Sequence, residues 1–249
     1  MAKELSNAVK EALEKCYLED GVVKIPNGVA LDRDEYLELS KVMKKNNGKW
    51  SRKHQGFEFV GNPDMDAIRG GVDTRKQYQF FATPKEIAEE LVSMADMEAW
   101  HTVLEPSAGQ GAIVKAIQGM YDMTEDVVCV ELNHTNAEVL RGLDGVCVIE
   151  TDFLGLDFID TFDRIIATPP FSHNQDIKHL RKMYDCLKRD GRMVCVTSRH
   201  WCDSSDKECV EFREWLNEKT HYVVPVPAGA FSESGTNVET CIVVIDNRK

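Results

Sequence analysis

From Thr83 onward, short apolar runs alternate with amphipathic stretches, and this alternation constrains the fold more than any other feature of the sequence. The short runs are rich in Val and Ile, which favours strands, whereas the stretches between them carry apolar residues at helical spacing. Strands that alternate with helices form a parallel sheet covered on both faces. The sequence therefore predicts an α/β fold with a doubly wound, mostly parallel seven-stranded sheet.

The predicted elements follow one another with short connections, except near the end of the chain. No helix separates the last two predicted strands, only the loop 227–236, so we expect an antiparallel edge strand on the otherwise parallel sheet. The predicted strands are 101–105, 127–131, 146–149, 163–167, 192–197, 222–226 and 238–245. The predicted helices are 84–95, 111–120, 134–142, 173–189 and 205–219.

The first 75 residues predict a separate, small α+β module. Residues 2–16 have apolar residues at helical spacing, and a second helix is expected to begin after Asp32, a residue suited to cap a helix N-terminus. Val22–Ile25 predicts a short strand, and residues 50–60 predict two strands around a turn. We place the module at residues 1–75 and the α/β domain at residues 76–249.

Charge limits the way in which this chain can contact a polyanion. The 249 residues carry a net charge of −12, which argues against broad, nonspecific adhesion to nucleic acid. One local segment, Lys41–His54, is nevertheless basic and has no acidic residue. It fits a solvated helix end and loop or a nucleic-acid contact, and the sequence leaves both open. The candidate nucleic-acid contacts in it are Lys45, Lys49, Trp50, Arg52 and Lys53.

Composition also bears on location and on metals. We find no apolar run of about 18 residues and no signal-peptide pattern, so we expect a cytoplasmic protein without a membrane partner. The eight cysteines are scattered and form no Cys-x2-Cys pair, which favours reduced, buried thiols. A metal site from His200, Cys202 and Cys209 lacks a matching second pair, so we expect no metal.

A glycine turn follows the first predicted strand of the α/β domain. Gly109-Gln110-Gly111 lies between that strand and a helix, where glycines permit positive φ and free helix N–H groups face a polar ligand. The dinucleotide fingerprint requires Gly or Ala three residues after Gly111, but this chain has Val114. The turn therefore does not match the version that binds a pyrophosphate.

Acidic residues end the next two predicted strands. Glu131 lies 20 residues after Gly111, where a carboxylate is placed to accept both ribose hydroxyls of a nucleoside cofactor; a solvated strand-end glutamate is the alternative. Asp152 then offers an acceptor to an adenine amino group, and Phe153 offers its ring face. Because ligands of open α/β sheets bind at the carboxyl ends of strands, we expect these segments to meet in one crevice.

A fourth strand ends at Thr168-Pro169-Pro170-Phe171. Two successive prolines lack N–H donors and stiffen the turn, so acceptor groups point outward. An exocyclic amine can donate to those acceptors while its base stacks on Phe171. A Pro-Pro pair that merely ends a strand is the alternative. The candidate catalytic residues are Thr168, Pro169, Pro170 and Phe171.

Together these motifs resemble those of the class I S-adenosylmethionine-dependent DNA amino-methyltransferases, with a Rossmann-like fold. The similarity extends to the adenine-N6 enzymes of phages and mobile elements and covers nearly the whole chain. Its motifs are Phe80–Pro84, Leu104–Gly111, Glu131, Asp152–Phe153, Phe212–Leu216, Gly229–Thr236 and Lys49–Lys53. The resemblance implies that S-adenosylmethionine is held by Phe81, Thr83, Glu105, Pro106, Ser107, Gly109, Gly111, Glu131, Asp152 and Phe153.

One position departs from the pattern of the adenine enzymes, which carry Asn or Asp before Pro-Pro-Phe. The Thr168 hydroxyl has a shorter reach than an amide oxygen and no charge. Three interpretations stay open: adenine N6 methylation at normal or reduced rate, an inactive form that still binds cofactor and DNA, and cytosine N4 methylation, whose enzymes use Ser there. RNA and protein-glutamine methylation are further alternatives, because the same corner serves those substrates.

The resemblance implies double-stranded DNA with a flipped base as the partner. Only a short tail follows the core, so recognition is expected from the basic segment Lys41–His54 and from the loops 172–176 and 227–236. Each of these is equally consistent with an ordinary surface loop. The candidate contacts in the two loops are His173, Ser234 and Thr236. The segment Arg199–Trp201 is also expected to face the crevice.

Overall fold

The structure is a computed structural model that describes residues 5–59, 62–74, 82–232 and 237–248. The chain divides into two compact units, Met1–Phe80 and Phe81–Lys249. Within the described ranges, no helix has both the length and the apolar character that crossing a lipid bilayer requires.

The first unit combines helices with a small antiparallel sheet of strand order β1-β2-β4-β3. The predicted hairpin of residues 50–60 is present as β3 and β4, whereas β1 and α3 have no counterpart in the sequence prediction. The elements are α1 (Asn7–Lys15), β1 (Tyr17–Glu19), β2 (Val22–Lys24), α2 (Arg33–Lys45), β3 (Lys49–Ser51), β4 (Gly56–Glu58) and α3 (Met65–Arg69).

Side-chain caps fix where the two longer helices of this unit begin. The predicted cap at Asp32 is confirmed: its carboxylate accepts from the N–H of Glu35 at 2.8 Å, and the Glu35 carboxylate accepts from the N–H of Asp32 at 2.9 Å. The first helix begins after Ser6, whose hydroxyl accepts from the N–H of Val9, so it starts later than the predicted residue 2. Buried residues of both helices form the core with Phe57.

The second unit is a seven-stranded sheet with helices packed against it. Its order is β10-β11-β9-β8-β5-β6-β7, and the predicted α/β class is confirmed. The elements are α4 (Lys85–Met94), β5 (Val103–Glu105), α5 (Ala112–Met120), β6 (Val127–Glu131), α6 (His134–Arg141), β7 (Val146–Glu150), β8 (Phe162–Ala167), α7 (Gln175–Cys186), β9 (Leu187–Ser198), α8 (His200–Asp203), α9 (Lys207–Asn217), β10 (Thr220–Pro225) and β11 (Thr240–Asp246).

The sheet has a core on each face, because successive residues of a strand point to opposite sides. On β9, Val194 and Val196 join the cluster that contains α4 and α5, whereas Met193 and Cys195 join the cluster that contains α7 and α9. Buried positions on both faces explain why the strands read as continuous apolar runs rather than as alternating patterns.

The last two strands form the antiparallel hairpin expected at the edge of the sheet, with β11 on its inner side and β10 outermost. β11 pairs antiparallel with both β9 and β10, so it lies one position inside the sheet and β10 forms the edge, parallel to the other strands. The reason is burial. Residues Thr240–Ile245 of β11 are all buried, whereas most residues of β10 are exposed or half-buried, so the more apolar strand takes the interior position.

The boundary between α7 and β9 also differs from the prediction. The helix predicted to reach residue 189 ends at Cys186, and β9 begins at Leu187 rather than at residue 192. Leu187 is fully buried and pairs with Phe162 of β8, so its apolar character reflects the sheet rather than the helix.

Candidate functional site

The candidate site begins with four neighbouring strands that all run in the same direction. β8, β5, β6 and β7 are adjacent and parallel, and Glu105 of β5 lies beside Cys129 of β6, while Glu131 lies beside Glu150 of β7. Their carboxyl ends therefore lie along one edge of the sheet. The segments after these strands contain the glycine turn, Glu131, Asp152 and Thr168, so the predicted convergence is present in the topology.

The glycine turn after β5 has the backbone conformation that only glycine adopts readily. Gly109 and Gly111 have φ values of 56° and 76°. The Gly109 N–H donates to Glu131 Oε2 at 2.7 Å, and the Gly111 N–H donates to the Ala108 carbonyl at 2.9 Å. Gly111 is also the N-cap of α5 and uses no side-chain cap.

Glu131 is a largely buried carboxylate that holds two turns together. It is 9% exposed, and its second oxygen accepts from the Asn133 N–H at 2.7 Å, just before α6. Burial raises the pKa of Glu131, while the hydrogen bonds from Asn133 and Gly109 oppose that rise. A carboxylate has about four acceptor positions, so the two bonds leave capacity for the hydroxyls of a ligand.

Glu105 is the last residue of β5 and is 2% exposed. Burial, reinforced by the charge of Glu131, raises the pKa of Glu105 well above its usual range, and the backbone N–H of Val114 lowers it only in part. Its Oε2 atom has no hydrogen-bond partner among the described residues. Glu105 is therefore a buried acid whose protonated form is favoured, with Pro106 buried and Ser107 half-buried after it.

The end of β7 separates two residues that the sequence predicts as adenine contacts. Asp152 is exposed, and its Oδ1 accepts from the Leu154 N–H at 3.0 Å at the start of a 3-10 turn, Phe153–Gly155. Phe153 is only 2% exposed and lies in the core, with its ring centroid 5.6 Å from that of His179. Asp152 thus faces solvent, whereas the ring of Phe153 is covered by protein.

Leu132, an apolar residue beside Glu131, was not among the site residues predicted from the sequence. Leu132 follows Glu131 directly and is 55% exposed. A large apolar residue exposed between a buried carboxylate and the N-cap residue Asn133 suits contact with a flat ligand. The signal in the sequence was a leucine placed directly after an acidic strand end.

Thr168 follows β8 and presents its hydroxyl to the interior. Its Oγ1 atom is buried and has no hydrogen-bond partner within the described part of the chain. Pro169 is buried, and Pro170 and Phe171 are half-buried. The ring of Phe171 meets that of Phe231 edge to face at 6.2 Å, so the loop after β10 fixes the Phe171 ring. Phe231 lies in the predicted recognition loop 227–236, but the sequence analysis gives it no role of its own.

The residues after Phe171 have an unusual backbone. His173 and Asn174 both have φ of 57°, a left-handed conformation that non-glycine residues adopt at a cost. His173 is exposed, as a nucleic-acid contact requires. Asp176, the last residue of the loop 172–176, is buried and accepts hydrogen bonds from Ser198, so its side chain is not available to contact a base.

The remaining predicted site residues are spread over the chain. Thr83 is half-buried before α4, and Lys49, Trp50, Arg52 and Lys53 are exposed in the first unit. Lys45 is exposed too and pairs with Asp73 at 3.3 Å. Trp50 packs edge-on against Tyr36 and Phe57. Phe81, Ser234 and Thr236 lie outside the described residues.

The three residues considered as metal ligands, His200, Cys202 and Cys209, are not all brought together. His200, Asp206 and Cys209 bring ligand atoms within 4.8 Å of one another, and Cys202 is not part of that group. His200 and Asp206 are exposed and lie 3.4 Å apart. Trp201 is buried and donates its indole N–H to Thr197, so it does not face the crevice as expected.

The chain is similar in sequence to a characterised viral protein. Type II methyltransferase M.CvrRI of Paramecium bursaria Chlorella virus XZ-6E is 28% identical over an alignment of 185 residues that covers 68% of this chain and 48% of that protein. The chain therefore spans about half the length of the curated relative that it matches. No model of a known protein family matches the chain.

Solved structures share the fold at low identity. The type I restriction-modification methyltransferase subunit of Streptococcus thermophilus has a TM-score of 0.58 at 18% identity, covering 73% of this chain and 49% of that one. M. jannaschii TYW2 in complex with AdoMet has a TM-score of 0.50 at 17% identity, covering 71% and 81%. These likenesses show the Rossmann-like fold, and in sequence the chain resembles a type II methyltransferase.

Proposed function

We propose that this chain is an S-adenosylmethionine-dependent methyltransferase that acts on an exocyclic base amine in DNA, with adenine N6 as the first choice. Its fold and its similarity to a viral type II methyltransferase support the proposal. One observation carries the proposal. The glycine turn after β5 and the Thr168–Phe171 segment after β8 follow adjacent parallel strands, so a cofactor bound at the first lies beside a base bound at the second.

The residues present fit S-adenosylmethionine. Glu131 and Asp152 are acceptors for the donors of that cofactor, its ribose hydroxyls and adenine amine, and exposed Leu132 offers an apolar surface between them. The buried, unpartnered Oε2 of Glu105 marks a polar position that folding alone does not satisfy. When bound, the cofactor supplies a methyl group on a positively charged sulfur.

The Thr168–Phe171 segment would hold the target base. Thr168 Oγ1 is buried without a partner, and an incoming amine would donate the missing hydrogen bond, together with one to the Pro169 carbonyl. Phe171, fixed by Phe231, would stack on the base. These contacts would orient the amine toward the methyl group that the bound cofactor would supply, and the amine proton would pass to solvent.

Contact with the duplex is proposed for the exposed basic residues of the first unit and for His173. Lys49, Arg52 and Lys53 have no ion pair among the described residues, so their charges are available to phosphates. Their placement in a chain of net charge −12 favours a local contact over general adhesion.

The test is nucleoside mass spectrometry on methyl-free duplex DNA incubated with the protein and S-adenosylmethionine, for the wild type and two variants. Thr168→Val keeps the shape and removes the hydroxyl, so product formation should fall about 10²–10³-fold with cofactor affinity unchanged. Thr168→Asn restores the residue of the adenine enzymes and should raise N6-methyladenine. Thr220→Val, on the edge strand β10, is the matched control and should leave activity unchanged.

The product identifies the reaction. N6-methyladenine supports the proposal, whereas N4-methylcytosine shows that Thr168 selects cytosine. Full activity in Thr168→Val would remove the hydroxyl from the mechanism. If no DNA product forms although calorimetry shows cofactor binding, DNA methylation by the wild type is refuted. N6-methyladenine formed by Thr168→Asn would then identify an impaired adenine enzyme. If that variant also forms no product, RNA and protein glutamine are the next substrates to test.

A further inference from the structure

A buried carboxylate lies just beyond the proposed base-binding segment. Asp176, in the first turn of α7, is 1% exposed. Its Oδ2 accepts from both the N–H and the hydroxyl of Ser198, each at 2.8 Å, and its Oδ1 accepts from the Ile177 N–H at 3.0 Å. No Lys or Arg forms an ion pair with it in the part of the chain that the structure describes.

Stability alone does not explain this carboxylate. Burial raises the pKa of Asp176, and the two bonds from Ser198 only oppose that rise, so the carboxylate is held at an energetic cost. The main effect of the Asp176 carboxylate is therefore on the conformation of the neighbouring chain rather than on stability.

That geometry concerns the segment between two adjacent strands. β8 ends at Ala167, and its neighbour β9 ends at Ser198. Asp176 fastens the start of α7 to the end of β9, so residues 168–175 are held at β8 on one side and at Ser198 on the other. Both fixed points lie at the same edge of the sheet as the glycine turn.

The same segment stores backbone strain that needs such anchors. His173 and Asn174 are both left-handed, a conformation that residues other than glycine adopt at a cost, which is smaller for asparagine. Asn174 Nδ2 donates to Glu208 Oε2 at 2.9 Å, which adds an anchor on α9. Strain held by several independent contacts occurs where a structure requires one particular conformation.

We infer that Asp176 is a positioning residue, whose two hydrogen bonds with Ser198 hold the Thr168–Phe171 segment in the conformation that methyl transfer requires. The effect on methyl transfer rests on the proposed function. The hold on residues 168–175 rests on the hydrogen bonds alone. Asp176 touches neither the base nor the cofactor in this assignment and acts through the backbone of the segment.

The test compares Asp176→Asn with the same change at Asp163, a carboxylate at the other end of the sheet that also accepts two hydrogen bonds from one residue and, in addition, pairs with Lys188 at 3.0 Å. Asp163, near the start of β8, accepts from the N–H and the hydroxyl of Thr102 at 2.9 and 2.6 Å. An Asn amide has one acceptor oxygen and cannot serve every donor in either place. Both variants should lose stability, but only Asp176→Asn should change the conformation of residues 168–175. Ser198→Ala removes one of the two hydrogen bonds between Ser198 and Asp176, so its effect should lie between those of the wild type and Asp176→Asn.

Two readouts on the full chain decide the matter. Steady-state kinetics should show kcat lower by about 10–10²-fold for Asp176→Asn, with cofactor affinity within about twofold, because the proposed cofactor residues follow other strands. For Asp163→Asn, kcat well below the melting temperature should stay unchanged. Hydrogen exchange should rise across residues 168–175 in Asp176→Asn and not in Asp163→Asn.

The outcomes separate the two proposals. Unchanged exchange and unchanged kcat in Asp176→Asn would overturn the inference, as would equal effects of Asp163→Asn on both readouts. Parallel loss of cofactor binding and kcat would show a general structural role instead. If the wild type methylates no substrate, the proposed function fails, and the exchange data still decide whether Asp176 holds the segment.

Discussion

Replacement of Gly111 by Ala tests the backbone geometry on which the whole site depends. Gly111 has φ of 76° and begins α5. A Cβ atom at this position would lie 2.7 Å from Leu143 Cδ1 and 3.1 Å from Leu140 Cδ2, both closer than ordinary van der Waals contact. The variant therefore meets two separate penalties, one from the backbone and one from packing.

The two penalties can be given rough sizes. A left-handed conformation costs an L-residue about 1–2 kcal/mol. Overpacking costs about 1–3 kcal/mol, and here the lower end applies because both clashing atoms end a flexible leucine side chain. The free energy of unfolding should thus fall by about 2–3 kcal/mol. For a unit of this size, that lowers the melting temperature by about 4–12 °C.

The assay is thermal unfolding with Gly119→Ala as the control. Gly119 belongs to the same helix, has no unusual φ, and has open space where a Cβ would lie. Alanine there removes only the flexibility of glycine and should raise stability by about 0.5–1 kcal/mol. One helix thus carries two Gly→Ala changes with opposite expected signs.

A melting temperature for Gly111→Ala at or above that of the wild type would refute the reasoning, because neither strain nor crowding would then be present. Equal losses in the two variants would show a general sensitivity of α5. Loss in Gly111→Ala with a gain in Gly119→Ala supports the left-handed turn.

Two further predictions concern charge. Glu105 has a raised folded pKa, so its stabilising contribution is complete below its unfolded value of 4.5 and is lost as the pH rises through the folded value. Glu105→Gln stays neutral, so its melting temperature should gain on that of the wild type as the pH rises above 4.5. A constant difference would contradict this. Changing Lys49, Arg52 and Lys53 to Gln should weaken DNA binding and reduce the salt dependence by about 0.9 per lost phosphate contact. The same change at Lys10, Lys15 and Lys24 should not, and equal effects would exclude a specific patch.

Local signals in the sequence were enough for much of the fold. Asp32 and Glu35 form a capping box because the groups involved are three residues apart, and β6 has its predicted bounds because its apolar run is short and continuous. The position of β11 between β10 and β9 could not be predicted from local signals. Strand order depends on which strands bury both faces against distant helices, and no local pattern encodes that comparison.

The sequence by itself determined the order of the elements and the residue types at the ends of four parallel strands, because spacing and composition act over a few residues. Only the tertiary structure decided that Phe153 turns into the core, that Thr168 Oγ1 is buried without a partner, and that Asp176 bonds Ser198. The direction of each side chain depends on contacts with elements distant in the chain. Those contacts form only when the sheet and its helices pack together.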